Sequence, residues 1–194
     1  MYTISNDYKY ELIIKNSKFI TILKRINNLS DIDNILDNVK VEYPDATHYC
    51  YAYILNNIKR ASDDGEPSGT AGIPILKVLE NNNLTNVLVI VIRYFGGIKL
   101  GANGLIRAYT KCSANAIKEV SLKELIDGIN LNIKFNYNRL KEIDYLLKDM
   151  RINSKSFSDL IIYNIDVEND FLEIIINNNI DYEFIKDIKI EKNR

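Results

Sequence analysis

The 194-residue chain has no tryptophan, only three prolines and two cysteines, and no apolar run long enough to cross a membrane. A membrane-spanning helix needs about 18 or more such residues, and the first residues have neither the basic nor the apolar segment of a signal peptide. Cys50 and Cys112 are distant in sequence and lack a paired spacing, so we expect reduced thiols. We therefore expect a cytoplasmic protein without a membrane partner.

Neither sign of charge dominates the chain. Lysine and arginine total 25 and aspartate and glutamate 26, which gives a formal net charge of −1. This balance excludes a strongly basic nucleic-acid-binding protein of the histone kind. Residues 46–120 nevertheless carry 8 basic and 5 acidic side chains, a mild positive bias. With 46% hydrophobic residues, the chain can bury the core of one large or two small domains.

Hydrophobic periodicity predicts strands and helices over the first two thirds of the chain. Tyr8 and Tyr10 alternate with more polar neighbours, which indicates a strand. Leu105, Tyr109 and Cys112 follow helical spacing, which indicates an amphipathic helix with a basic stripe on another side. The predicted strands are 8–14, 18–26, 47–55 and 87–92, and the predicted helices are 30–43, 75–81 and 103–120.

Residues 121–127 are predicted to form a linker, after which a second pattern begins. Apolar and polar residues alternate strictly over 129–135. The elements from there onward follow the order βαββαβ, the ferredoxin-like arrangement. We expect an α+β protein of two domains, residues 1–125 and 126–194. The second domain is predicted to have strands near 129–135, 151–157, 160–167 and 184–190 and helices at 140–150 and from 169.

Glycine is concentrated in two blocks. Seven of the eight glycines lie between Gly65 and Gly104, in the segments 62–74 and 93–107. Glycine is needed where the backbone has positive φ or closely approaches another group. The second block leads from a predicted buried strand into a helix N-terminus, where free N–H groups attract an anion. Its spacing matches neither the Walker loop nor the dinucleotide-binding fingerprint, so nucleotide hydrolysis is unsupported.

This second block provides the candidate phosphate or nucleic-acid site. Lys99 and Arg107 would add positive charge near the helix start, and Arg93 would be oriented by a carboxylate of the first block. The alternative is that the glycines serve only a tight turn and close helix packing. The candidate binding residues are Arg93, Gly96, Gly97, Lys99, Gly101, Asn103, Gly104 and Arg107, and the supporting residues are His48, Tyr49, Asp63, Asp64, Glu66, Ser68, Thr70 and Tyr94.

Two further readings of these residues remain open at the level of sequence. The acidic cluster Asp63, Asp64 and Glu66 could hold Mg²⁺, or it could form a solvated turn. Tyrosines such as Tyr49 and Tyr94 could stack on nucleobases, or they could be ordinary strand residues.

The single histidine, His48, lies near Cys50 without a recognisable catalytic motif. One histidine and two cysteines are too few for a closed structural zinc site. We therefore expect no catalytic residue, no cofactor and no bound metal.

The strand 48–53 and the two glycine blocks resemble the signature of the Impact family, in its bacterial YigZ-type branch. The resemblance implies an N-terminal domain with the left-handed βαβ fold shared by ribosomal proteins and translation-factor domains. It also implies a C-terminal ferredoxin-like domain similar to the last domain of elongation factor G. One departure is Asn103, where family members often have glycine. Asparagine tolerates left-handed φ, so we expect the turn to be kept.

The resemblance also bears on function. Eukaryotic members regulate translation by binding an activator of a starvation-responsive initiation-factor kinase, but they use an additional N-terminal domain that this sequence does not contain. For the bacterial branch, the resemblance implies a nucleic-acid or ribosome-associated protein without established enzymatic activity.

Our leading hypothesis is a non-enzymatic RNA- or ribosome-binding modulator of translation. One alternative is a metal-assisted enzyme acting on a phosphorylated small molecule, and another is a protein-interaction module that uses the C-terminal sheet. The sequence contains no indication of oligomeric state.

Overall fold

The computed structural model describes residues 1–192, which form two compact units, Met1–Lys123 and the chain from Glu124 onward. Each unit contains a β-sheet, and the two units together contain five α-helices within the described residues. This organisation confirms the expected mixed α and β fold class. No helix in residues 1–192 is long and apolar enough to cross a membrane.

Up to residue 119 the elements are β1 (Tyr2–Ile4), β2 (Tyr8–Ile14), β3 (Ser17–Arg25), α1 (Ser30–Glu42), β4 (His48–Leu55), β5 (Ile58–Ser62), α2 (Gly72–Asn81), β6 (Val87–Tyr94) and α3 (Ala102–Glu119). The later elements are β7 (Leu122–Phe135), a 3-10 turn (Tyr137–Arg139), α4 (Leu140–Leu146), β8 (Arg151–Phe157), β9 (Ile161–Glu168), α5 (Phe171–Asn177) and β10 (Asp181–Glu191).

The sheet of the first unit has β6 at its centre, in the order β2-β3-β6-β4-β5. All of its pairs are antiparallel, so β3 and β4 run in the same direction on either side of β6. Because β6 lies between two helical layers, its side chains are buried on both faces. Val89 and Val91 pack with α2 and α3, whereas Leu88 and Ile90 pack with α1. The prediction of a central strand at 87–92 is therefore confirmed.

The second unit has the strand order β10-β7-β9-β8, with every pair antiparallel. This order and the succession βαββαβ are those of a ferredoxin-like domain. The alternation along β7 directs Leu131 and Ile133 into the core, where they meet Ile143 of α4 and Ile175 of α5. The predicted ferredoxin-like arrangement is confirmed.

The predicted linker at 121–127 is wrong, because β7 begins at Leu122 and continues without a break to Phe135. Leu125, Ile126 and Asp127 pair with Glu191, Ile190 and Lys189 of β10. Their backbone hydrogen bonds thus come from a strand more than sixty positions later, which local composition does not reveal. The edge strand β5 was also not predicted, and it delivers the chain into the acidic loop before α2.

Candidate anion-binding cavity

The two glycine-rich blocks meet in the first unit, at the end of β6 and the beginning of β4. Antiparallel pairing places His48 of β4 opposite Arg93 of β6. Glu66, in the loop between β5 and α2, forms an ion pair with Arg93 and so brings the first block to the second. A cavity of about 340 Å³ lies at this junction. Residues from β4 and both blocks line it, among them His48, Glu66, Arg93, Phe95, Lys99 and Gly101.

A buried ion pair forms the base of the cavity. Arg93 Nη1 donates to Glu66 Oε1 at 2.6 Å, and the two side chains are 6% and 3% exposed. The Tyr109 hydroxyl donates to the same oxygen at 2.8 Å. Burial, together with the nearby Cys50 and Glu66, raises the pKa of Tyr109 far above its usual range, so this hydroxyl keeps its proton. Removing charges from water is costly, and mutual pairing offsets that cost.

Arg93 is held by more than its carboxylate partner. Its guanidinium lies 5.5 Å from the ring centre of Phe19 and 5.4 Å from that of Phe95, within the range of cation–π attraction. Its Nη2 is 3.4 Å from Ser17 Oγ. The buried Nε has no hydrogen-bond partner within residues 1–192. One donor of this buried cation is therefore unsatisfied by the described protein atoms.

His48 has a defined tautomer when its ring is neutral. Its Nδ1 lies 2.8 Å from the backbone carbonyl oxygen of Asp64. A carbonyl oxygen can only accept a hydrogen bond, so Nδ1 must carry the hydrogen and Nε2 is left as an acceptor. His48 Nε2 is 3.9 Å from Glu66 Oε2, which is too far for a hydrogen bond between them.

The two aspartates of the acidic loop bind backbone rather than Arg93. Asp63 accepts hydrogen bonds from the N–H groups of Gly69, Ala71 and Gly72 at 2.8 to 2.9 Å, which fixes the start of α2. Burial favours a higher pKa for Asp63, but these three bonds outweigh it and lower the pKa. Asp64 Oδ2 accepts from the Tyr49 N–H at 2.6 Å. Of the three candidate carboxylates, only Glu66 orients Arg93.

The acidic loop gives no metal-binding arrangement in the part of the chain that the structure describes. Among residues 1–192, no three His, Cys, Asp or Glu side chains are grouped to hold a metal ion. Thr70 Oγ1 donates to the Pro67 carbonyl at 2.6 Å, and Ser68 is exposed. These residues shape the loop rather than forming a ligand set.

The second block forms a tight loop because its glycines meet two separate steric demands. A Cβ on Gly96 would lie 2.1 Å from the backbone carbonyl of Asn16, and the Gly96 N–H is 3.2 Å from Ser17 Oγ. Gly97 and Gly101 have φ of +81° and +72°, a region that disfavours other residues. The hairpin turn between β2 and β3 thus supports the loop that leads to the cavity.

Gly101 occupies the cap position of α3, and no side chain within residues 1–192 caps the first N–H groups of this helix. Asn103 lies inside the first turn of α3 and does not have positive φ. The turn is made at Gly101, two residues earlier, so it is kept without Asn103 taking a left-handed φ. Gly104 lies in the same turn, and a Cβ added to it would lie 3.0 Å from the Cβ of Leu100.

The two cations predicted for the site occupy different places. Lys99 lines the cavity. Arg107 is exposed on α3 and is not among the described residues that line it. Tyr49 and Tyr94 lie on the other face of the sheet with α1, and their hydroxyls donate to the carbonyls of residues 43 and 44. The predicted set is therefore split between the cavity, the outer side of α3 and the opposite sheet face.

Three residues of the network were not among the predicted site residues. These are Ser17, Cys50 and Tyr109. Burial raises the pKa of Cys50 to about 12, and its thiol donates to the Asp63 carbonyl at 2.9 Å, so it is a structural group. Tyr109 belongs to the apolar stripe of α3, and that periodicity marked it as core. A tyrosine at a buried position of this helix was the sequence signal for a polar network, because the hydroxyl of a buried tyrosine normally needs a polar partner.

Comparison with known proteins agrees with the resemblance seen in the sequence. The Impact N-terminal domain model matches residues 15–117. The IMPACT family member YvyE of Bacillus subtilis is 36% identical over 159 residues, which cover 77% of this chain and 73% of the relative. The IMPACT family member YigZ of Escherichia coli is 33% identical, with coverage of 69% and 68%.

Relatives named Protein IMPACT are similar to a smaller part of this chain. The human protein is 32% identical over 94 residues, which cover 45% of this chain and 28% of the relative. A solved structure described as a hypothetical protein is similar over 95% of this chain and 97% of its own, with 25% identity and a TM-score of 0.73. The chain therefore belongs to the Impact family.

Proposed function

We propose that the protein binds RNA, free or within the ribosome, by placing a phosphate in the cavity beside the start of α3. One observation carries this proposal. Lys99, the buried Arg93 and the first turn of α3 all border the same space. Uncapped N–H groups and the helix dipole favour an anion at such a helix start.

The electrostatics of the cavity predict weak binding. The Arg93 charge is largely balanced by Glu66, so Lys99 and the helix start supply most of the net attraction. A site that neutralises one phosphate changes the slope of log affinity against log salt by roughly 0.7 to 0.9. RNA binding should therefore be measurable at low salt and fade as salt is raised.

Phe95 offers a surface for a nucleobase. This residue is 46% exposed and borders the cavity, and the Arg93 guanidinium lies 5.4 Å from the centre of its ring. Stacking of a base on an aromatic ring contributes about 1–3 kcal/mol and tolerates any base. The cavity volume of about 340 Å³ is at the lower end of ligand sites and suits a single nucleotide unit.

A role in translation follows from the family rather than from the cavity. The chain is similar over 94 residues to proteins named IMPACT, and the resemblance in the sequence associates that family with regulation of translation. We propose that the protein acts in the cytoplasm as a non-enzymatic modulator of translation. The ferredoxin-like unit would add a second contact with the ribosome or with a protein partner.

Comparing a lysine in the loop before α3 with one in the last turn of α3 tests the phosphate site. Lys99→Ala should weaken binding of labelled single-stranded RNA about tenfold, because it removes a charge-assisted contact. It should also reduce the salt slope by about one. Lys118→Ala is the matched control, since Lys118 is an exposed lysine in the last turn of α3. Equal affinities for the two variants would refute the phosphate site.

Ribosome cosedimentation at increasing salt extends the same comparison to the proposed partner. Arg107→Ala should cost less affinity than Lys99→Ala, because Arg107 does not line the cavity among the described residues. Thermal unfolding of each variant confirms that the fold is retained. Ribosome binding that is insensitive to Lys99→Ala would place any ribosome contact elsewhere on the chain.

A further inference from the structure

The cavity presents two hydrogen-bond acceptors that the phosphate site does not use. Glu66 Oε1 receives both Arg93 Nη1 and the Tyr109 hydroxyl, whereas Glu66 Oε2 receives no hydrogen bond within residues 1–192. His48 Nε2 is the acceptor nitrogen of the neutral ring, because Nδ1 donates to the carbonyl of Asp64. The two acceptor atoms are 3.9 Å apart, and both residues line the cavity.

This acceptor pair is open to donors from outside the described residues. The Glu66 side chain is only 3% exposed, and its second oxygen has no hydrogen-bond donor among residues 1–192. A buried carboxylate oxygen without a donor is unfavourable, and a donor on a ligand would remove that cost. A phosphate would be repelled by two acceptors. A ligand must therefore direct its anion towards Lys99 and the start of α3, and its donors towards Glu66 and His48.

The spacing of the acceptors discriminates between types of donor. Two hydroxyls on adjacent carbons are roughly 3 Å apart, and with bonds of about 2.7 Å they reach acceptors 3.9 Å apart when each bond tilts outward by roughly 10°. A single amino group directs its two hydrogens about 120° apart, so it reaches acceptors separated by about 5 Å. The observed 3.9 Å therefore favours a vicinal diol over an amino group.

We infer that the cavity recognises the 2′,3′-diol of a ribose, with the two hydroxyls donating to Glu66 Oε2 and His48 Nε2. This inference rests on the proposed function, because the phosphate of the same ligand occupies the site beside α3. In a nucleic acid, the diol exists only at an unmodified RNA 3′ end, and it also exists on a free ribonucleotide. The protein is then a reader of RNA 3′ ends rather than of internal RNA.

Competition binding with matched ends tests the inference on the full-length protein. The probes are one short labelled RNA with a 2′,3′-diol, the same RNA with a 2′,3′-dideoxy terminal nucleotide, and the same RNA with a 3′-phosphate. We expect the diol form to bind at least about tenfold more tightly than either blocked form, the effect of losing a hydrogen bond to a charged acceptor. Adenosine 5′-monophosphate and its 2′-deoxy analogue serve as competitors that distinguish a free nucleotide from an RNA end.

Two variants separate this inference from the proposed function. His48→Ala removes one acceptor from a half-buried position, so the preference for the diol should fall to about twofold while the dideoxy RNA binds as before. Lys99→Ala should weaken diol and dideoxy RNA by the same factor. Glu66→Gln, checked for folding by thermal unfolding, replaces the free acceptor oxygen while keeping the side-chain shape, and it should also abolish the preference.

Several results would overturn the inference. Equal binding of diol and blocked RNA to the wild-type protein, or a preference unchanged in His48→Ala, would refute diol recognition and leave the phosphate site standing. RNA binding that is insensitive to Lys99→Ala would instead refute the proposed function. If adenosine 5′-monophosphate competes more strongly than RNA and its 2′-deoxy analogue does not compete, diol recognition is supported and its ligand is a free ribonucleotide.

Discussion

Replacing Glu66 with alanine removes the partner of a buried arginine, and the size of the effect follows from the geometry. The side chains of Arg93 and Glu66 are 6% and 3% exposed, so water cannot take the place of the lost carboxylate. Removing one partner of a buried ion pair lowers the stability by about 3–5 kcal/mol. Tyr109 also loses its acceptor, which costs about 1–3 kcal/mol. Because one oxygen is shared, the terms add only in part, and we expect a loss of about 4–6 kcal/mol.

Urea unfolding followed by far-ultraviolet circular dichroism measures this loss. Domains of this size are stable by about 5–15 kcal/mol, so Glu66→Ala should lower the unfolding midpoint of the first unit severely. Glu80→Ala is the matched control, because Glu80 pairs with Lys59 at 2.8 Å while both side chains are well exposed. Breaking such a surface pair costs about 0–1 kcal/mol.

A double variant shows whether the unpaired charge is the cause. Glu66→Leu combined with Arg93→Met replaces both charged groups with apolar ones, and it should be less destabilising than Glu66→Ala alone. If Glu66→Ala lowers the urea midpoint no more than Glu80→Ala does, the Arg93–Glu66 pair does not stabilise the fold as its burial predicts. If the double variant is the least stable, the explanation by an unpaired charge is wrong.

Two further predictions concern the loop and the thiols. Gly96→Ala should lower Tm more than Gly97→Ala, because a Cβ at Gly96 meets the Asn16 backbone at 2.1 Å whereas Gly97 has open space and only the strain of φ +81°; equal changes in Tm would contradict this. Burial raises the pKa of Cys50 and Cys112 to about 12, against about 8.5 for an unfolded thiol. As pH rises above 8.5, the unfolded state therefore loses protons that the folded state keeps, and stability should fall by about 1.4 kcal/mol per pH unit for each thiol. Urea unfolding between pH 8 and 10 should show this slope, and the double alanine variant should lose it.

Much of the fold was predictable because the responsible signals are local. The run 87–92 is apolar at every position and β-branched at all but Leu88, a pattern typical of a strand covered on both faces. The alternation over 129–135 separates one core face from one polar face. The strand at 151–157 was placed with the bounds that the structure has. Periodicity is set by backbone geometry, so it needs no knowledge of distant residues.

The candidate site was predictable only in part. Clustering of glycine located the loops, and the family resemblance rested on the same residues. The choice of Glu66 over Asp63 and Asp64 as the partner of Arg93 was not predictable, since all three lie within four positions in the sequence. Asp63 is directed to the start of α2 and Asp64 to the Tyr49 N–H, and both assignments depend on how the loop packs. The continuous strand at 122–127 was missed for the same kind of reason, because β10 supplies its partners.

The sequence by itself determined most of the strands and helices, which of their faces are apolar, and which two loops carry glycine and charge. Only the tertiary structure decided that Arg93 is neutralised by Glu66, that Lys99 borders the cavity while Arg107 does not, and that Glu66 and His48 leave two acceptors 3.9 Å apart. The physical reason is the separation along the chain over which each kind of interaction acts. Periodicity and turn chemistry act over a few residues, whereas burial, pairing of charges and the tautomer of a histidine are set by groups that the chain brings together from distant positions.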